Sequence, residues 1–242
     1  MDQVLLAAGG TWQLAWAFAV IFVAYALRGA TGFGAGVVSI PLLLLALPLT
    51  VVIPLVTAMG MLASFGQAVH QRRWVDWPGL RKLFLPSVLG VATGLWLFKS
   101  LEPEVLKRAL AVFIIGYAVW GYLPQKKGPA LFSAWLAPLA GALGGFVATV
   151  FGGMAGPLYV VYLRSLALDK AKFRATMSFA LLCLSGARAA GYGSLGFYDE
   201  RVLLLLLAAL PVLVVAMIAG DRWHAKLDEA RFGHVVAALL FK

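Results

Sequence analysis

Apolar runs recur from one end of this chain to the other, at approximately 11–27, 34–47, 51–69, 79–98, 105–122, 131–149, 154–163, 174–193, 201–219 and 232–241. Most cover roughly 14–22 residues, near the ~20 that a spanning helix needs. The connectors are short, and none holds enough sequence for a separate soluble domain. Lipid offers no hydrogen bonds to the backbone, so segments of this kind must satisfy their N–H and C=O groups within themselves, as helices do. The fold class expected is an all-α polytopic membrane protein. The composition agrees: 62% hydrophobic, 12% charged, mean hydropathy +0.92, far from a soluble domain.

The formal net charge is +10. In a soluble chain this would raise nucleic-acid binding. Here the basic residues sit in short connectors between apolar runs, which is the pattern of membrane topology. If the connector at residues 70–82 is cytoplasmic, alternation also puts Lys126, Lys127, Arg164, Lys170, Lys172, Arg174, Arg222, Lys226 and Arg231 inside. With Arg28, Arg72, Arg73, Arg81 and Lys82, fourteen Lys and Arg residues are then inside. Five are outside: Lys99, Lys107, Arg108, Arg201 and Lys242. Both termini are expected outside. No cleavable secretory signal is read, and residues 11–27 are expected to be retained.

Two of the apolar stretches are interrupted by glycine. The first break is Thr31-Gly32-Phe33-Gly34-Ala35, and the second, 118 residues on, is Thr149-Val150-Phe151-Gly152-Gly153. Pro86 in the fourth run likewise has a counterpart in the ninth, Pro211, 125 residues on. Each half therefore holds five runs with a break between its first two, which divides the chain at the polar connector 124–129 into repeats 1–125 and 126–242. Five segments per half makes the repeats inverted. The runs beside the breaks, 34–47 and 154–163, are too short for a full crossing at ~1.5 Å per residue. They are tilted short spans or arms of re-entrant hairpins. Arg28 separates the two: it snorkels from a loop in one and is a buried cation in the other.

Irregular backbone at membrane depth is tolerated where it lines a polar cavity or is buried in protein, and paired breaks in matching halves point to a transporter's binding site. Helices that start just after a break aim free N–H groups and a positive dipole end at it. Gly32, Gly34, Gly36, Gly152 and Gly153 would let backbone approach a ligand closely. Thr31 and Thr149 would add hydroxyl donors. The alternative is close helix packing by small residues. Arg188, in the middle of the eighth run, is a functional candidate by its cost in lipid, or else a cation snorkelling to the outer interface. Gln67 is its counterpart in the third run, expected to face the same cavity. The substrate-binding candidates are thus Arg28, Thr31, Gly32, Gly34, Gly36, Gln67, Thr149, Gly152, Gly153 and Arg188.

No acidic residue lies in the middle of an apolar run. Cation transporters and proton relays usually need such a carboxylate, so arginines, hydroxyls and backbone N–H groups point to an anion. His70, His224 and His234 lack metal-ligand spacing to one another. Gly193-Ser194-Leu195-Gly196 carries Tyr192 where a nucleophile turn needs glycine. No catalytic group, metal or cofactor is expected. Cys183 is the single cysteine and reads as a small apolar residue. Tyr192, Trp74, Trp77 and Trp223, near segment ends, read as interfacial aromatics.

The runs Gly29-Ala30-Thr31-Gly32-Phe33-Gly34-Ala35-Gly36 with Pro41, and Gly144-Gly145-Phe146 with Thr149-Val150-Phe151-Gly152-Gly153 and Gly156-Pro157, resemble the TauE/SafE family of membrane permeases, also called the sulfite exporter or DUF81 family. The likeness covers nearly the whole chain. It departs from the family's run of three glycines, having Gly34-Ala35-Gly36 and Gly152-Gly153-Met154. The resemblance implies transport of sulfur-containing anions such as sulfite or organosulfonates across a bacterial inner membrane. The partners expected are a small anionic substrate and the lipid bilayer, without nucleic acid and with homo-oligomerisation open. An anion channel, or a membrane enzyme or assembly subunit without transport, are the other readings.

Overall fold

A computed structural model describes residues 2–122, 133–153 and 156–226. The connector 124–129 and the last apolar run, 232–241, lie outside the described residues. Those described form ten α-helices and a short 3-10 turn, without a strand: α1 (Asp2–Ala8), α2 (Thr11–Thr31), α3 (Ala35–Leu43), α4 (Leu49–Gln71), the turn Arg72–Trp74, α5 (Trp77–Ser100), α6 (Pro103–Tyr122), α7 (Ser133–Phe151), α8 (Gly156–Ser165), α9 (Lys170–Ser194) and α10 (Glu200–Lys226). Nine of these follow the apolar runs; α1 is additional. Four, Thr11–Thr31, Leu49–Val69, Trp77–Ser100 and Glu200–Trp223, are long and apolar enough to cross a membrane by length and composition.

Three of the acidic residues outside the apolar runs start helices. The Asp76 carboxylate accepts from Gly79 N at 3.1 Å to open α5. Asp169 accepts from Lys172 N at 2.8 Å to open α9, and Asp199 from Val202 N at 2.8 Å to open α10. Each satisfies a backbone donor that has no helical partner.

α4 and α9 form the centre and run antiparallel. Gln67 accepts from Ser178 at 3.2 Å, and Thr57 accepts from Arg188 at 2.6 Å. Between these two pairs Gly60 lies beside Ser185, so each step down one helix is a step up the other. α10 flanks the centre against α2, and α7 flanks it against α5. Both contacts are close enough to need glycine: a Cβ on Gly29 would come within 2.9 Å of Gly220 Cα, and one on Gly141 within 2.7 Å of Leu83 O. The two short helices, α3 and α8, lie inside this frame beside their breaks.

Many large apolar side chains are exposed on the outer surface. Trp96 is 71% exposed, Leu85 66% and Leu207 63%. A soluble monomer does not carry such a belt; helices facing lipid do. The basic helix ends gather at one end of the bundle: Tyr162 OH donates to Gly79 O at 3.0 Å, Asp76 N donates to Thr176 Oγ1 at 2.9 Å, and Arg174 pairs with Asp221 at 2.7 Å. At the opposite end Tyr198 OH donates to Pro54 O at 3.4 Å, and Arg201 Nε donates to Ala7 O at 2.6 Å.

Trp74, Trp77 and Trp223 are exposed, as interfacial aromatics would be. Tyr192 is not one of them. It is fully buried, with its hydroxyl donated to Thr149 O and its ring edge-on to Phe98 and Phe197. The segment after α9 folds back over it.

Candidate functional site

Both glycine breaks adopt left-handed backbone. Gly32 closes α2 at φ 85°, and Gly34 opens α3 at φ 93°. Gly152 and Gly153 follow α7 at φ 78° and 100°. A side chain in that region costs ~1–2 kcal/mol, so glycine is the residue that fits.

The breaks touch each other. A Cβ on Gly36 would lie 3.0 Å from Gly153 O and 3.1 Å from Gly152 O, and one on Gly152 would lie 2.6 Å from Ile40 Cδ1. Gly156, which opens α8, lies against the Phe33 ring. The N-terminal ends of α3 and α8 therefore converge. The first N–H groups of each have no partner within their helix, and their positive dipole ends meet here.

One buried arginine reaches this junction from α9, and another is buried on α2, just before the first break. Arg188, on α9, is 1% exposed. Its Nη2 donates to Thr57 Oγ1 at 2.6 Å, its guanidinium lies 5.9 Å from the Tyr192 ring centre, and its Nη1 is beside Gly153. It is buried rather than snorkelling. Arg28, in the last turn of α2, is 6% exposed. Its Nη2 donates to Gly60 O at 3.3 Å and to Ser64 Oγ. Arg28 is thus a buried cation held by α4. The Nε of each has no partner. Among the described residues neither arginine has a carboxylate within ion-pair distance. Tyr25, fully buried, is within electrostatic reach of both guanidiniums and donates to Val56 O at 3.2 Å. Their anchors on α4, Thr57 and Gly60 to Ser64, are one to two turns apart, about 5–10 Å.

An unpaired guanidinium in a low-dielectric interior costs on the order of several kcal/mol. Each of these guanidiniums, without a carboxylate partner among the described residues, calls for a negative charge. Ser39, one turn along α3 from Gly36, adds a fully buried hydroxyl without a partner. Sequence reading missed it; the signal was a hydroxyl one helical turn after the glycine.

The other expected residues are placed less directly. Thr31 Oγ1 lies 2.7 Å from Phe33 O and 2.9 Å from Leu27 O, so its one proton serves its own turn. Thr149 Oγ1 donates to Gly145 O at 2.7 Å. Gln67 is ten residues along α4 from Thr57, about 15 Å. It donates to Gly29 O at 3.5 Å. The structure does not bring Gln67 and Arg188 together.

The model of the family described as "Sulfite exporter TauE/SafE" matches residues 17–241. The chain belongs to this family. The match takes in both breaks, Arg28, Arg188 and the last apolar run. No curated protein and no solved structure matches the chain. The TauE/SafE family is one of sulfite-exporter-type membrane transporters, and the multi-pass apolar helices fit that function. The resemblance read from the glycine runs is thereby shown.

Proposed function

We propose that this protein is a secondary transporter that exports small sulfur-containing oxyanions, such as sulfite or organosulfonates, across the bacterial inner membrane. The observation that carries the reading is the pair of buried guanidiniums, Arg28 and Arg188, that lack a carboxylate partner. The anion is held between them, with the Ser39 hydroxyl and the N–H groups at the starts of α3 and α8 as further donors. The guanidiniums supply charge and paired donors that match an oxyanion's geometry. Hydroxyl and backbone donors fix its orientation. The glycines let the backbone come close enough to take part.

Alternating access follows from the arrangement of the halves. α2 and α7 each precede a break, and each is flanked by the other half's long helix, α10 and α5. α4 and α9 are the antiparallel centre. That exchange of partners supports two inverted repeats, 1–125 and 126–242, rocking about the central pair. The basic end is cytoplasmic, because it collects the arginine and lysine connectors. Both arginines are nearly sealed from solvent, which favours an occluded carrier site over the continuous pore of a channel.

Uptake by the purified protein in proteoliposomes, against sulfite, thiosulfate, taurine, sulfoacetate, sulfate and carboxylates, tests the reading. Saturable transport of one or more sulfur oxyanions is expected. Transport of none of them overturns it.

A further inference from the structure

A third arginine is buried at the basic end. Arg174, in the first turns of α9, is 5% exposed. Its Nη2 donates to Gly29 O at 2.6 Å and to Asp221 Oδ1 at 2.7 Å, and its Nε has no partner. Its Cγ lies beside Gly32. Arg174 therefore sits directly against the first break, bonded to the carbonyl of Gly29, the residue after Arg28.

The ion pair is lopsided. The Arg174 side chain is 6% exposed, whereas that of Asp221 is 65% exposed. Asp221 also lines an open groove of about 590 Å³ between α4 and α10, walled mostly by apolar side chains such as Leu62, Leu210 and Val214, with Gln67, Gln71 and Arg222 as its other polar residues. The carboxylate is already largely hydrated, so it loses little of its own solvation in the pair. The guanidinium is not, and the carboxylate's departure would leave a buried cation unpaired. An oxyanion arriving at the basic end of this groove meets Arg222 beside Asp221 and can take the carboxylate's place.

The three guanidiniums are in series. Arg174 and Arg188 lie on the same buried face of α9, fourteen residues apart, about 21 Å. Arg28 lies between their levels, since Gly60 is beside both Arg28 Nη1 and Ser185 Oγ. Of the three, the one with a carboxylate is the one next to the groove.

We propose that Arg174 is the first oxyanion station on the basic side, and that Asp221 is a built-in surrogate holding the substrate's place until the substrate displaces it. Gln67, which shares the Gly29 carbonyl with Arg174, is the neighbouring neutral donor. This rests on the anion-transport reading above and adds a site and a direction to it.

The test is sulfite transport in vesicles with substrate presented from each side in turn. Asp221→Asn removes the competing charge. The expected result is a fall in KM of about fivefold for sulfite presented at the basic end, with KM from the other end unchanged. An unchanged or raised KM at the basic end overturns the assignment. The exchange Arg174→Asp with Asp221→Arg restores an ion pair but moves the cation into water. It should fold and fail to transport; transport at the unmutated rate overturns the assignment. If that double variant does not fold, the KM of Asp221→Asn decides. Absence of oxyanion transport by the unmutated protein overturns the transport reading, and this station with it. Normal transport with no change in Asp221→Asn overturns the station alone.

Discussion

Arg188 on α9 donates to Thr57 on α4 at 2.6 Å across the central helix pair, with no carboxylate to balance its charge among the described residues. A residue kept there for stability alone would be poorly chosen, because its burial is costly. Arg188→Met should therefore cut sulfite transport at least about tenfold while leaving thermal stability equal or higher. Arg201→Gln removes a cation at the opposite end, bonded to Ala7 O, and should leave transport nearly unchanged. Parallel melting and uptake curves on the two variants check this. Equal loss in both would point to a general charge effect.

Ser39 gives a milder probe. Its hydroxyl is buried and unpartnered, so Ser39→Ala removes no bond within the protein. Stability should hold or rise slightly. KM for the anion should rise several-fold, by the loss of about one hydrogen bond to a charged group. An unchanged KM would exclude Ser39 from the site.

The breaks divide into two kinds of glycine. Gly152 has φ 78°, and its Cβ would meet Ile40 at 2.6 Å. Gly152→Val should cost about 2 kcal/mol or more in stability. Gly36 is helical, and its Cβ would press on the Gly152 and Gly153 carbonyls at 3.0–3.1 Å. Gly36→Ala should leave the protein folded yet wedge the breaks apart and lower transport. Full activity of a folded Gly36→Ala protein would show that close contact of the breaks is not needed.

Sidedness is open to labelling. Arg73 is exposed at the basic end, and Ser194 is exposed at the other. In a Cys183→Ala background, single cysteines at 73 and 194 should react with an impermeant reagent from opposite faces, with 73 on the cytoplasmic side. Reaction of both from one face would refute the assignment of the two ends.

The helices were legible because spanning segments must be long, apolar and internally bonded, and nine of the described helices follow the runs read from sequence. Arg188 was legible for the same reason, as a charge in the middle of a run. Arg28 was ambiguous because the depth of its break depends on how α2 meets α4. Arg174 was counted among loop cations, since Lys170 and Lys172 precede it; its burial comes from α10 arriving at Gly29, a contact between residues far apart in the chain. Tyr192 was misplaced for a like reason: it ends a segment, but Phe98 and Phe197 close over it. α1 was too short to be seen as a run.

The most direct test of the account is sulfite efflux from loaded proteoliposomes, comparing the unmutated protein with the Arg28→Met, Arg188→Met double variant, each verified as folded by its melting curve. The account predicts saturable efflux by the unmutated protein and none above background by the double variant. Efflux by the double variant at the unmutated rate would contradict the claim that these two arginines hold the anion.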